Sequence, residues 1–174
     1  TDSDIINGGS ELRRKFLDSV ISQLDREYLE NLIQYNKALQ QRNALLKYFR
    51  ENRTFQAESL EMWDVQLSQR GQLIHERRKA FLVDFIDAFS AFYQVISGSV
   101  EEIDLEYVSQ MSDGEMLGLL KANVTQDRAA TYTTIGIHKD DLGLLINGFQ
   151  LKKFGSQGQQ KSALVALKLA QFKV

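Results

Sequence analysis

The 174-residue sequence has no cysteine, no proline and two histidines, and between residues 10 and 97 it has a single glycine, Gly71. The lack of cysteine excludes disulfide frameworks, thiolate zinc sites and cysteine nucleophiles, and fits a reducing compartment. The lack of proline leaves every backbone N–H available, so nothing blocks long helices in the glycine-poor half. No apolar run approaches the ~20 residues of a membrane span, and the opening TDSDIINGGS lacks the charged and apolar regions of a signal peptide. The chain is therefore expected to be cytoplasmic, without a membrane partner. An excess of one charge is missing too. With 21 basic and 23 acidic residues the formal net charge is -2, so any nucleic-acid contact must come from a local patch. The sequence starts without methionine and stops at ALVALKLAQFKV with a helical pattern still running, which reads as part of a larger protein.

What is present is helix. A hydrophobic content of 43% can supply a core for one domain. From Gln23 to Arg50 the apolar positions Tyr28, Leu32, Tyr35, Leu39, Leu46 and Phe49 form a heptad seam with Arg42 in one slot. ENRTF, residues 51–55, reads as a reversal. A second helix is expected from about Ala57 to Ser97, with Leu60, Trp63, Leu67, Ile74 and Phe81 on one seam and Arg70 and Arg77 in its gaps. The two should pair antiparallel. Toward its end the second helix carries Phe81, Leu82, Phe85, Ile86, Phe89, Phe92, Tyr93 and Ile96, a stripe too wide for a two-stranded seam and suited to a globular body.

Beyond SGS, residues 97–99, IDLEYVSQ alternates like a strand, and SDGEMLGLLKANVTQDRAATY reads as one or two short helices, with Ser112 and Glu115 spaced as a capping box. After Tyr132 the pattern turns to strand, and Asn147-Gly148 between LGLLI and FQLKKF is a hairpin signal. Leu164, Val165, Leu167, Leu169 and Ala170 then predict a mostly buried last helix. The expected fold is mainly α with a small antiparallel β portion. Within 1–174 it comprises a helical hairpin over 23–97, a strand and short helices over 98–132, and β-hairpins with a final helix over 133–174.

The last helix is preceded by GSQGQQKS, Gly155 to Ser162, one residue away from the phosphate-loop pattern G-x-x-x-x-G-K-[ST]. Lys161 and Ser162 stand where the lysine and the magnesium-binding hydroxyl would stand, but Gln160 replaces the second glycine, which adds bulk where backbone must wrap a phosphate. The residues leave two readings open: an altered phosphate loop, or a turn in which Ser156 caps the helix.

The same stretch, GSQGQQKSALVALKLA, resembles the ABC signature motif as it occurs in the RecF family of bacterial DNA replication and repair proteins, ABC-type ATPases akin to SMC and Rad50. Three further segments resemble that family in the same order: GGSELRRKFLD, YLENLIQYNKALQQRNALLK and GIHKDDLGLLING. The resemblance implies a helical lobe, domain II, of an ATPase head, lacking the P-loop and Walker B portions. It implies that Ser156, Gln157, Gly158, Gln159, Gln160 and Lys161 contact ATP held by a partner subunit. The full-length protein would bind ATP and Mg2+, dimerise on ATP and hydrolyse it slowly in a DNA-dependent way. It would also bind single-stranded, gapped or duplex DNA and act with RecR, RecO and RecA in gap repair and the SOS response. The fragment alone is expected to be inactive and to hold no cofactor. The alternative is a helical-hairpin interaction module with no nucleotide role.

Two basic runs are candidates for DNA or partner contact: Arg13, Arg14 and Lys15, and Arg77, Arg78 and Lys79 in HERRK. Each also fits a solvated helix face. His138, Lys139, Asp140 and Asp141 combine types that can ligate a divalent ion, but on a strand neighbours face opposite ways, and a charged turn explains them without a metal. No metal is expected. Tyr28, Tyr35, Phe85 and Phe89 have the helical spacing of core residues rather than of base-stacking platforms.

Overall fold

The computed structural model describes residues 4–98, 101–113 and 115–174. The element order is α1 (Asp4–Asn7), α2 (Ser10–Leu24), α3 (Arg26–Glu51), α4 (Glu58–Ser97), β1 (Ile103–Val108), α5 (Met116–Ala122), α6 (Val124–Ala130), β2 (Asp141–Ile146), β3 (Phe149–Gln150), α7 (Leu151–Phe154) and α8 (Gln157–Lys173). Two compact units share these elements. A hairpin unit takes Leu24–Arg77 and Ser109–Asp140, and a sheet unit takes the N-terminal segment to Gln23, Arg78–Val108 and Asp141–Val174.

In the hairpin unit, Asp25 starts α3 by accepting a hydrogen bond from the Tyr28 N–H at 3.0 Å. Partners along α3 and α4 run in opposite directions: Asp25 with Arg77, Asn31 with Arg70, Arg42 with Asp64. Leu46, Phe49 and Leu60 close the far end. That order makes the pair antiparallel. The buried positions of α3 are Tyr28, Asn31, Tyr35, Ala38, Arg42, Leu46 and Phe49, so Leu32 and Leu39 are only half-buried. A real helix turns every 3.6 residues and drifts off a strict heptad, which moves the contact line onto Asn31 and Ala38. For the same reason Arg70 and Arg77 do not fill the seam of α4. They stand outside it and reach across, Arg70 Nη1 to Asn31 Oδ1 at 2.7 Å and Arg77 Nε to Asp25 Oδ2 at 2.7 Å.

The centre of this unit is charged. Arg42, wholly buried, donates through Nε to Asp64 Oδ1 at 2.6 Å and through Nη1 to Asp127 Oδ2 at 2.5 Å and Thr133 Oγ1 at 3.0 Å. Asp127 Oδ1 accepts from Thr134 N and Oγ1, and Asn43 Oδ1 accepts from Thr133 N and Oγ1. One guanidinium thus joins α3, α4, α6 and the segment after α6. Burial pushes the Asp64 carboxyl above its ordinary range, and the Arg42 hydrogen bond and charge offset this only in part.

That segment corrects the expectation of strand after Tyr132. Residues 137–139 form a single 3-10 turn, closed by Lys139 N to Gly136 O at 2.8 Å, and strand begins only at Asp141. The reason is Gly136. Its φ is +135°, and a Cβ there would stand 2.5 Å from the Tyr35 hydroxyl oxygen, so the backbone turns where a β-branched or bulky residue could not follow. The N-cap of α5 is Glu115, without a side-chain cap bond, and the side chain of Ser112 lies outside the described residues.

In the sheet unit the wide stripe of α4 is buried at Leu82, Phe85, Ala88, Phe89 and Tyr93, with Leu17, Val20 and Ile21 of α2 also in the core. Phe85 stacks on Phe81 at 5.2 Å and meets Phe16 at 6.2 Å. By length and composition alone α4 could cross a membrane, which corrects the expectation that no run comes near a span. Five residues of that stretch, Leu82, Phe85, Ala88, Phe89 and Tyr93, pack within the unit, while Val83, Val95 and Ile96 are exposed. The sheet order is β1-β2-β3, all antiparallel, with Ile103 opposite Ile146 and Val108 opposite Asp141. Asn147 (φ 48°) and Gly148 (φ 78°) make the turn that the sequence signals, since both central positions are left-handed. The strand expected after it is short, because Leu151–Phe154 coil into the turn α7.

Arg42→Ala would leave two buried carboxylates without their cation, and urea denaturation should show a loss of ~3–5 kcal/mol. Asp141 gives a pH prediction. Burial raises its pKa, but the Arg13 hydrogen bond, the Leu142 N–H and the charges of Arg13 and Arg14 outweigh it, so its carboxyl lies below the ordinary value. A lowered folded pKa stabilises above the unfolded value near 3.8 and ceases to do so as pH falls through the folded value. Asp141→Asn should accordingly flatten the acid limb of a stability profile measured below pH ~5.

Candidate functional site

The loop before α8 is built from its backbone upward. Gly155 sits where a Cβ would stand 2.6 Å from Leu151 Cδ1 and 2.7 Å from the Leu151 carbonyl oxygen, so only glycine lets the chain turn out of α7 this closely. Ser156 follows in an extended conformation (φ -64°, ψ 162°) and caps α8. Its Oγ accepts from Gln159 N at 3.2 Å, and Gln159 Oε1 accepts from Ser156 N at 2.6 Å, a complete capping box. The other end of the Gln159 amide donates to Glu101 Oε1 at 2.7 Å. Glu101 also accepts from the buried Tyr93 hydroxyl at 3.3 Å, and burial, then this carboxylate, pushes the Tyr93 pKa up to about 12. Gln160 Nε2 donates to Gly155 O at 3.2 Å.

The cap therefore engages Gln159 and Gln160 inside the unit and leaves Ser156, Gln157, Gly158 and Lys161 facing solvent. The N–H groups of Gln157 and Gly158 occupy the first two helical positions, where no intrahelical acceptor exists. The Ser156 hydroxyl accepts one bond and keeps its proton to donate. The first turn of this 17-residue helix carries no acidic residue, so the positive end of the helix dipole is not neutralised from within the turn. Lys161 adds a cation one turn in. A cleft of about 250 Å3, lined by Ile6, Asn7, Gln157, Gln160, Lys161 and Leu164, lies beside this end. Donors, dipole and lysine together suit a phosphate or another anion that approaches from outside.

The body of α8 differs from expectation. Ala163, Ala166, Leu167 and Ala170 form the buried face, while Val165, Leu169 and Phe172 are exposed. Alanine permits close packing that a leucine-centred reading overlooks.

The other sequence-predicted residues scatter. Arg13 is held by Asp141, Nε to Oδ1 at 2.7 Å and Nη2 to Oδ2 at 2.9 Å, while Arg14 is half-buried and Lys15 is exposed and paired with Glu11. Arg78 is buried and bound to Asp18 at 2.8 Å, which removes it from the candidate contact surface. Arg77 pairs with Asp25, and Lys79 is exposed. Tyr28, Tyr35, Phe85 and Phe89 are buried core residues.

His138 bonds Tyr35 Oη through Nδ1 at 2.8 Å and the Thr133 carbonyl through Nε2 at 2.9 Å. The carbonyl only accepts, so Nε2 carries the proton. Lys139 lies over the Tyr132 ring, Asp140 is buried, and Asp141 holds Arg13. Among the described residues no group of three or more histidines or carboxylates could hold a metal ion.

Comparison with known proteins places these features in context. No family model matches the chain. A protein described as DNA replication and repair protein RecF from Flavobacterium johnsoniae is 55% identical over 171 residues, covering 98% of this chain and 48% of that protein. Proteins of the same description from Parabacteroides distasonis and Porphyromonas gingivalis are 48% and 39% identical over 98% and 99% of this chain, and 46% of each is covered. Two solved structures of the recombination mediator protein RecF in the RecFOR pathway, one with ATPrS and one with ATP, superpose with TM-scores of 0.91 and 0.90. Each is 32% identical, with 99% of this chain and 48% of the solved chain covered. The chain thus spans about half the length of the curated relatives it matches.

Ser156→Ala should lower stability by ~1 kcal/mol through loss of the cap. Gly155→Ala should lower it further, because the obstructing atoms include a backbone carbonyl. Urea titration followed by helical circular dichroism measures both.

Proposed function

We propose, for a chain that belongs to the RecF family and spans about half the length of its curated relatives, that the start of α8 senses ATP presented by a second subunit. The observation that carries this reading is the capped N-terminus of a 17-residue helix whose own first turn has no acidic residue and whose Ser156, Gln157 and Gly158 are exposed. The N–H groups of Gln157 and Gly158 and the Ser156 hydroxyl would donate to terminal phosphate oxygens, and Lys161 would add charge. Gln159, held by Ser156 and Glu101, acts by fixing the loop rather than by touching the ligand. ATP with Mg2+ would supply the phosphate charge from the partner's own P-loop. This chain's residues would bind and orient, and the isolated chain would neither hold ATP tightly nor turn it over.

In the full-length protein this contact would couple ATP to dimerisation on DNA, single-stranded, gapped or duplex, with slow hydrolysis releasing the dimer. RecR, RecO and RecA would act in the same pathway of gap repair, replication restart and SOS induction, in the cytoplasm. The solved structures of similar chains with ATP and ATPrS support nucleotide involvement. The paired α3 and α4 would serve as a short antiparallel coiled coil, and the half-buried Arg14 with the exposed Lys15, Arg77 and Lys79 are the remaining basic candidates for DNA or partner contact.

The complete cap also supports the second reading, in which the loop only starts a helix and the hairpin is an interaction module. Ser156→Arg in the full-length protein separates the two. ATP-dependent dimerisation, followed by light scattering, should disappear while the monomer's circular dichroism is retained. Dimerisation that survives the substitution, or ATP turnover by the 174-residue chain alone, would sink the sensor reading.

A further inference from the structure

At one end of the hairpin unit, the last turn of α3, the reversal after it and α6 enclose a cleft of about 750 Å3. Its lining combines apolar side chains, Leu46, Phe49 and Phe55, with three guanidinium groups, Arg50, Arg53 and Arg128. None of the three pairs with a carboxylate among the described residues. Arg128 lies over the Phe55 ring at 3.9 Å, and Arg50 donates to the Ala129 carbonyl at 3.4 Å. Three cations gathered at a partly apolar cleft without counter-charge raise the local potential and favour an anionic occupant.

The backbone supplies a second observation. Thr54 N donates to Phe49 O at 3.0 Å and Arg53 N to Arg50 O at 3.4 Å, the two bonds that end a helix through a left-handed residue. Here that residue is Arg53, with φ +51°. Glycine takes this conformation freely and arginine does not, so the guanidinium is held at the cleft against local backbone preference.

The geometry points to a docking site for a short acidic peptide segment of a partner protein, one that carries several carboxylates beside a large apolar side chain. Paired forks of Arg50, Arg53 and Arg128 would take the carboxylates, and the phenylalanine-lined wall would take the apolar group. A nucleic-acid backbone needs a longer positive track than the three guanidinium groups of this one cleft supply, whereas a short acidic segment matches them in extent.

Fluorescence anisotropy with a labelled hexapeptide, Glu-Asp-Leu-Glu-Asp-Phe, tests this on the intact chain. Saturable binding should weaken as salt is added and vanish for the peptide with Gln and Asn in place of the acids. Arg53→Gly relieves the left-handed strain, so it should keep or raise the thermal midpoint while weakening the peptide about tenfold, and Arg128→Gln should weaken it similarly. The proposal is overturned by absence of saturable binding, by equal affinity for the neutral peptide, or by unchanged affinity in Arg53→Gly. It is also overturned if oligothymidylate displaces the peptide at equal or lower concentration, which would make the cleft a nucleic-acid contact.

Discussion

The hairpin unit depends on one buried guanidinium. Arg42 joins α3 to α4 through Asp64 and to α6 through Asp127, and Thr133, which accepts from Arg42, and Thr134, which donates to Asp127, belong to the segment that leads into the 3-10 turn. A charge removed from water this completely is tolerated only when nearly every surrounding lone pair and proton is placed. Such a group selects one arrangement of helices over its neighbours, since a shift by one residue along the seam would separate the charges. An apolar residue in its place would hold the helices together without fixing their register.

How much of this was legible in the sequence follows from the range of each interaction. The two long helices, their antiparallel pairing and the Asn147-Gly148 turn rest on periodicity and on local backbone preference, and both were readable. Arg42 was readable as a polar residue in a seam, but its partners Asp127 and Thr133 lie 85 and 91 positions away, and no local pattern announces them. A charged turn near His138 was readable beside the strand pattern, but its cause, the nearness of Tyr35 to Gly136, is also long-range. Arg77 and Arg78 exchanged places because heptad counting ignores the slow drift of a 3.6-residue helix, and one position decides between solvent and core.

The candidate site shows the same division. Its motif was visible, and so was the capacity of Ser156 to cap. The hydrogen bond that holds the Gln159 amide was not, since Glu101 reaches it from 58 residues earlier in the chain. Gly155 read as the first glycine of a phosphate-loop pattern, whereas the Leu151 carbonyl explains it by steric need alone.

The capping box and its anchor on Glu101 also bear on the thermodynamics of recognition. A loop already fixed by reciprocal hydrogen bonds loses little conformational entropy when it meets a ligand, so affinity is not reduced by an ordering penalty. Association at α8 would then resemble rigid docking, with a small heat-capacity change and with selectivity set by how closely a phosphate can approach the bare backbone of Gly158. The unfavourable entropy of shaping the surface has already been met during folding.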